Sequence, residues 1–150
     1  MKAEDLIQLW EGVRLGLLAT IAKFDDADLD YTAFPGAYTV RQLMLHIAHE
    51  ELIEIQHGVT RQLSEFPPAY PDEAFPTVAS VKELLPTVHA PTLRYLEGLP
   101  PGEIDGEIEA GWGGIYPLRG MLWHVLEHEL HHRGELSFIL GLLGKLGLDA

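Results

Sequence analysis

The stretch PLRGMLWHVLEHELHHRGELSFILGLLG, residues 117–144, decides how this sequence folds. Its apolar residues recur at spacings of three and four, which is the pattern of one buried face on an α-helix. Pro117 is a residue type favoured at the first helical position, and Gly144 and Gly147 are typical of a helix end. The pattern predicts a helix from Pro117 to about Leu143, whose buried stripe consists of Leu118, Met121, Leu122, Val125, Leu136, Ile139, Leu140 and Leu143.

Four histidines lie on this helix, and a rotation of about 100° per residue separates them into two pairs. His132 lies about 40° and His128 about 80° from the centre of the apolar stripe, whereas His124 and His131 lie about 120–140° away. His128 and His132 are four residues apart, so their side chains are neighbours. Two buried imidazoles at this spacing either hydrogen-bond within the core or bind one metal ion, and their place beside an apolar stripe favours the metal.

The rest of the sequence predicts three more helices. The first covers 4–24, where Leu6, Trp10, Val13, Leu17 and Ile21 form one stripe. The second covers 39–63 and begins at Thr39-Val-Arg-Gln42, the pattern of a capping box. The third begins at Thr77 or at Ser80, where Glu83 would complete a capping box.

Prolines, glycines and acids separate these helices. Pro86 and Pro91 lie inside the third helix and predict a kink or break there. The segments 25–38, 64–76 and 98–116 are predicted loops, with Ile104 and Ile108 as candidates for short extended pieces in the last of them. Four helices with long connecting loops predict an all-α four-helix bundle that forms a single domain over residues 1–150.

A third metal ligand has to come from another element, and helix two offers His46, His49 and His57. The apolar residues of helix two spread widely, so periodicity does not choose among these histidines. The 64–76 linker can span about 43 Å at about 3.3 Å per residue, which is enough to cross the bundle. We adopt the hypothesis of such a crossover, because it makes helix two antiparallel to helix four and brings His46 to the depth of the pair on helix four.

Composition excludes several classes of function. Ten Lys and Arg face 23 Asp and Glu, and a net charge of −13 without a basic patch argues against nucleic-acid binding. No apolar stretch approaches the ~20 residues of a membrane span, and acids within the first 25 residues do not fit a signal peptide. The absence of cysteine excludes thiolate ligands and a cysteine nucleophile. Since 47% of the residues are apolar, we expect a folded protein. We also expect it to be cytoplasmic and to have no membrane partner.

Two segments resemble the DinB/YfiT-like superfamily: Thr39-Val-Arg-Gln-Leu-Met-Leu-His46-Ile-Ala-His49-Glu50 and His124-Val-Leu-Glu-His128-Glu-Leu-His-His132-Arg-Gly134. The resemblance implies a four-helix bundle in which His46, His128 and His132 hold one divalent metal ion. It also implies a homodimer. His49 stays a rival to His46 as the third ligand. The superfamily includes thiol S-transferases that use low-molecular-weight thiols, so a thiol cofactor is implied as well.

Three neutral ligands leave an open position on a metal, as in catalytic sites. We expect zinc or nickel, with manganese or iron as alternatives. The leading hypothesis is a metal-dependent transferase that joins a small thiol to a small-molecule substrate, with Glu50 as a candidate base and Glu129 as a candidate to orient a ligand histidine. The alternatives are a metal-dependent hydrolase that uses a bound water and a non-enzymatic metal-binding stress-response protein.

A di-iron site is a further alternative. Glu54-Ile-Gln-His57 and Glu129-Leu-His-His132 are both Glu-x-x-His motifs, as in ferritin-like bundles. The extra carboxylates would come from Glu11 and from Glu83 or Glu97. Near the predicted start of helix four, Trp112 and Tyr116 either wall a pocket or cap the end of the bundle.

Overall fold

A computed structural model describes residues 2–146, so Gly147 lies outside the described residues. Within this range the chain forms four long helices, a short hairpin and three single 3₁₀ turns. The helices are α1 (Ala3–Ile21), α2 (Val40–Glu51, continued by a π-helical segment Leu52–Val59), α3 (Val78–Glu97) and α4 (Leu118–Leu142). The strands are β1 (Glu107–Glu109) and β2 (Ile115–Pro117), and the 3₁₀ turns are Asp26–Asp28, Asp72–Ala74 and Glu103–Asp105.

The predicted capping box at the start of α2 is confirmed. The backbone N–H of Gln42 donates to the Thr39 hydroxyl, and the backbone N–H of Thr39 donates to the Gln42 side chain, each over 3.1 Å. On α3 the cap is Thr77, whose hydroxyl accepts from the backbone N–H of Ser80 over 3.1 Å. A cap at Ser80 that Glu83 completes is therefore wrong, because Ser80 already lies in the first turn of the helix.

The break predicted within α3 does not occur, since the helix continues through Pro86 and Pro91. Each proline removes one backbone hydrogen bond. The helix is nevertheless held along its apolar side, where Val81, Leu85, Val88 and Leu96 are buried in the bundle.

The second helix ends earlier than predicted and changes its form. After Glu51 the backbone continues as a π-helix to Val59 rather than as an α-helix to Leu63. The N–H of Thr60 donates to the carbonyl of Ile55 over 2.7 Å, which is the wide turn of this form. Arg61 then takes a φ of 55°, in the left-handed region, and this conformation ends the helix.

Two apolar clusters fill the bundle and show the directions of its helices. The first combines the end of α1 and the starts of α2 and α3 with the end of α4. The second combines the start of α1, the ends of α2 and α3, and the start of α4. Helices α2 and α3 are therefore parallel and both run opposite to α1 and α4, so the predicted crossover through residues 64–76 is present.

A layer of polar side chains separates the two clusters. Glu51 accepts hydrogen bonds from Arg14 (2.5 Å), His89 Nδ1 (2.7 Å) and the Thr92 hydroxyl (2.6 Å). Glu129 accepts from Trp10 Nε1 (2.9 Å) and from the same Arg14 nitrogen (2.8 Å). All four helices contribute to this buried layer, which lies at the middle of the bundle; its members are Trp10, Arg14, Glu51, His89, Thr92 and Glu129.

The hairpin joins α3 to α4 at one end of the bundle. Strands β1 and β2 are antiparallel, with Ile108 opposite Tyr116. Ile108 thus lies in a strand as predicted, whereas Ile104 is buried in a 3₁₀ turn instead. Among the residues that the structure describes, no helix has the length and apolar character needed to cross a bilayer.

Candidate metal centre

Three histidine side chains converge in the groove between α2 and α4. The Nε2 atom of His128 lies 3.0 Å from the Nε2 of His46 and 3.0 Å from the Nε2 of His132. The three nitrogens lie within 4.8 Å of one another, and all three side chains are partly buried. The antiparallel packing of α2 and α4 thus brings together the two histidines that periodicity selects on α4 and the one that the resemblance selects on α2.

The donor set fits a divalent metal ion. Tetrahedral zinc with Zn–N distances of about 2.0–2.1 Å holds its nitrogen ligands about 3.3 Å apart. The measured separations of 3.0 Å approach this spacing, and a small rotation of the rings would complete it. Imidazole is a common ligand of zinc, copper, iron and nickel.

The surroundings of two of these rings keep them neutral. Burial, followed by the proximity of His132 and His46, lowers the pKa of His128 to about 3. Burial and the nearby His132 also lower the pKa of His46 below its usual value. Both rings therefore carry no charge at physiological pH, which is the state in which imidazole binds a metal.

Glu135 orients one of the three rings. The Nδ1 of His132 donates to the Glu135 carboxylate, which lies three residues along the same helix. A proton held on Nδ1 leaves the Nε2 lone pair directed at the other two histidines. Sequence reasoning missed Glu135, although its spacing of three residues from His132 was a usable signal.

The remaining histidines on α2 have other partners. His49 Nε2 donates to the carbonyl of Pro67 over 2.9 Å and so ties the crossover loop to the helix. His57 Nδ1 donates to the carbonyl of Leu63 over 2.9 Å. The structure therefore favours His46 over its rival His49, because it is His46 that joins the cluster with His128.

Glu129, the expected partner of a ligand histidine, is located elsewhere. Only 1% of Glu129 is exposed, and its carboxylate accepts from Trp10 and Arg14 in the polar layer. Burial raises the pKa of Glu129, although Arg14 opposes this effect. Its helical position predicts burial correctly, but these contacts point into the core, and Glu135 takes the orienting role instead.

Glu50, the candidate base, lies beside the cluster. It is half-buried one turn along α2 from His46, and its carboxylate lies within 4.8 Å of ligand atoms on Glu54 and His124. Its negative charge favours the protonated form of His46 and so opposes the lowering of that pKa. Glu50 is thus placed where it could exchange a proton with a molecule bound next to the histidines.

The di-iron alternative is not assembled within residues 2–146. No group of potential metal ligands combines the two Glu-x-x-His motifs. Glu129 is bound to Arg14, His57 is bound to the Leu63 carbonyl, and the proposed extra carboxylates are exposed on other faces; they are Glu11, Glu83 and Glu97.

Two pockets open along α2 and its π-helical continuation. One has a volume of about 280 Å³ and is lined by His46, His49, Tyr38 and Tyr70 among others. The other has a volume of about 520 Å³, and Trp112 and Tyr116 form part of its wall. Of the two roles considered for these aromatic residues, the structure thus supports the wall of a pocket.

Comparisons with known proteins agree with this fold. A DinB-like protein from Bacillus cereus superposes with a TM-score of 0.74 at 16% identity, covering 94% of this chain and 92% of that one. A DinB-like protein from Bacillus subtilis superposes with a TM-score of 0.68 at 19% identity, covering 93% and 92%. The mycothiol-dependent maleylpyruvate isomerase superposes with a TM-score of 0.61 at 14% identity, over 88% of this chain and 60% of that one.

Identities this low show the fold alone, and no curated protein matches the sequence significantly. A sequence model of the DinB superfamily, however, matches residues 9–136, which is most of the chain. With the four-helix architecture and the histidine cluster between α2 and α4, this match identifies the protein as a member of the DinB superfamily.

Proposed function

We propose that His46, His128 and His132 bind one divalent metal ion and that the protein is a metal-dependent enzyme that transfers a low-molecular-weight thiol to an electrophilic small molecule. The convergence of three Nε2 atoms in one groove is the observation that carries this proposal. An ion held by three neutral imidazoles supplies a Lewis acid with an open position, which lowers the pKa of a thiol or a water molecule. Zinc or nickel suits the donor set, with manganese or iron as alternatives.

The side chains around the site each have a defined task. Glu135 fixes the orientation of the His132 ring. The low pKa of His128 keeps its lone pair available. Glu50 accepts the proton that the thiol S–H group loses, and the sulfur then forms a bond to an electrophilic carbon of the substrate while the leaving group departs with its electron pair. We assign Glu129 no part in this chemistry, because its buried carboxylate lies in the polar layer, where one of its oxygens accepts from both Arg14 and Trp10.

The choice of a thiol rests on membership of the DinB superfamily and on one structural neighbour. One structural neighbour is described as a mycothiol-dependent maleylpyruvate isomerase, and this likeness supports the choice. At 14% identity the likeness does not carry the chemistry to this chain by itself. A thiol is therefore the part of the proposal that most needs a direct assay.

Metal analysis tests the first half of the proposal. Purified protein is stripped with a chelator, loaded separately with zinc, nickel and manganese, and analysed for bound metal after desalting. We expect one ion per chain in the wild type and almost none in the His46→Ala, His128→Ala and His132→Ala variants. His131→Ala is the matched control, since His131 lies on the same helix but is exposed, and it should retain the ion. Full metal content in each of these three single variants would refute the site.

A conjugation assay tests the second half. Metal-loaded protein is mixed with glutathione, cysteine or mycothiol and a chromogenic aryl chloride, and chloride release is followed against the His128→Ala variant. We expect thiol-dependent turnover that this variant lacks. Turnover of esters without any thiol would favour the hydrolase, and a loaded protein without either activity would favour a non-enzymatic metal-binding protein.

We also propose a cytoplasmic homodimer that acts on a small-molecule substrate and binds neither nucleic acid nor membranes. The net charge of −13 supports the exclusion of nucleic acid, because phosphate backbones would be repelled. Light scattering of purified protein measures the oligomeric state.

A further inference from the structure

The larger of the two pockets, which we call the aromatic pocket, lies farther along α2 and α4 than the histidine cluster. It is lined by Glu54, Trp112, Tyr116, Pro117, Gly120, Met121 and His124. Along α2 the side chains at 46, 50 and 54 succeed one another turn by turn, and along antiparallel α4 they face the side chains at 132, 128 and 124. The aromatic pocket therefore begins about one helical turn from His128 and about two turns from His46, within reach of one small molecule.

One carboxylate, that of Glu54, lines the aromatic pocket, and a second, that of Glu50, lies next to it. Ligand atoms of Glu50, Glu54 and His124 lie within 4.8 Å of one another. Burial and the charge of Glu50 raise the pKa of Glu54, and the nearby His124 offsets part of this effect. Two carboxylates in such proximity favour a positively charged occupant over an anion.

Two glycines hold the outer, aromatic wall in place. A Cβ at Gly58 would lie 2.4 Å from the ring of Trp112, so the indole packs directly against the helix backbone at that point. A Cβ at Gly111 would lie 1.9 Å from the carbonyl oxygen of His57, and the Gly111 N–H donates to the Gly58 carbonyl over 2.9 Å. The loop that carries Trp112 is thus docked closely on the last turns of α2.

The same turns of α2 are the π-helical segment, which also carries Glu54. π-Helical turns are rare and are frequently found at functional sites. The π-helical segment thus carries both Glu54, which lines the pocket, and Gly58, against which the Trp112 ring of the same pocket packs.

We propose that the aromatic pocket binds the ammonium group of an amine-bearing substrate. The carboxylate of Glu54 accepts hydrogen bonds from the ammonium N–H groups, and the faces of Trp112 and Tyr116 contact the adjoining carbon atoms and the cation. A bare metal ion would use Glu50, Glu54 and His124 and leave the aromatic wall without a role. The inference rests on the proposed function in one respect, which is that the molecule held here reaches the histidine groove.

Benzylamine, which is charged at neutral pH, is a suitable probe, and benzyl alcohol is its neutral counterpart. Each is titrated into zinc-loaded protein while the indole N–H resonance of Trp112, assigned with Trp112→Phe, is followed by NMR. We expect a saturable shift with benzylamine and binding at least about tenfold weaker with benzyl alcohol, the ratio expected for one charge-assisted hydrogen bond. Glu54→Gln should weaken benzylamine binding by a similar factor, whereas Glu11→Gln, an exposed acid on α1, should leave it unchanged.

Further variants separate this inference from the metal proposal. Gly58→Ala should displace the Trp112 ring and weaken benzylamine binding without removing the metal. His128→Ala should lose the metal and keep the benzylamine shift. Wild-type protein that binds zinc but responds equally to amine and alcohol would overturn the amine site alone. A second metal ion per chain that Glu54→Gln removes would overturn it in favour of a metal site.

Discussion

Replacing Arg14 by methionine tests how the polar layer holds the bundle together. Arg14 is only 6% exposed, and one of its nitrogens binds both Glu51, over 2.5 Å, and Glu129, over 2.8 Å. The two accepting oxygens therefore lie no farther apart than these bonds combined, about 5.3 Å. Methionine fills a similar volume but leaves two buried carboxylates without their cation.

The expected cost is large. Removing one partner from a buried ion pair destabilises a protein by about 3–5 kcal/mol. Domains have total stabilities of roughly 5–15 kcal/mol, so this is a substantial fraction of the whole. At about 2–4 °C per kcal/mol for a domain of this length, the Tm should fall by about 6–20 °C.

The loss of stability caused by Arg14→Met should also depend on pH. In the wild type, burial raises the pKa of Glu51, but Arg14 and the bonds from His89 and Thr92 outweigh burial and hold it below the unfolded value of 4.5. Without Arg14, burial and mutual repulsion raise the pKa of both Glu51 and Glu129. An acid with a raised pKa destabilises the fold at neutral pH, and this destabilisation is relieved as the pH falls through the raised pKa. The stability difference between wild type and variant should therefore narrow from pH 7 to pH 5.

Urea unfolding followed by circular dichroism measures these differences on chelator-treated protein, so that bound metal does not contribute. Arg94→Met is the matched control, because Arg94 is exposed on α3, and it should change the stability by less than about 0.5 kcal/mol. Adding Glu129→Gln to Arg14→Met should restore part of the loss, since one buried charge is removed. A loss below about 1 kcal/mol at pH 7, or an equal loss at pH 5, would refute this account of the layer.

Three further substitutions address single contacts. Glu135→Gln should weaken zinc binding by about tenfold in a competition with a chelator, because the neutral amide still accepts from His132 but lacks the negative charge of the carboxylate. An unchanged affinity would contradict the orienting role. Gly111→Ala should cost about 1–3 kcal/mol in urea unfolding, since the new Cβ meets the His57 carbonyl, and a neutral effect would argue against close docking of the loop. His49→Ala should retain one metal ion per chain while hydrogen exchange speeds up in residues 60–76, whereas loss of the ion would make His49 the third ligand.

The directions and order of the helices could be predicted, because long amphipathic stripes and a linker of known reach leave few arrangements. The form of α2 could not. A single helical period does not hold across Leu52–Val59, where the backbone widens into a π-helix. This contributes to the wide spread of apolar residues along helix two, whereas the choice between His46 and His49 depends on contacts with α4 and with the crossover loop.

The two histidines that α4 contributes to the candidate site could be predicted from the sequence. The other residues of the site could be predicted only in part. His128 and His132 follow from their angles to the apolar stripe, and the structure confirms that they join His46 in one cluster. The contacts of Glu129 could not be predicted, because its partner, Arg14, lies 115 residues away on another helix. Periodicity gives the depth of a side chain but not the charge that faces it across the bundle.

Two consecutive residues of α4, His128 and Glu129, face different polar surroundings. Glu129 faces the centre of the bundle, where ferritin-like proteins place irons among carboxylates, but here the guanidinium of Arg14 supplies the positive charge. His128 faces the outer groove, where its partners are neutral imidazoles. Neutral ligands leave the full charge of a bound ion uncompensated, which makes it a stronger Lewis acid than one among carboxylates. The arginine in the core thus supplies the positive charge there without a metal, and the group of histidines that could hold a metal ion lies in the groove instead.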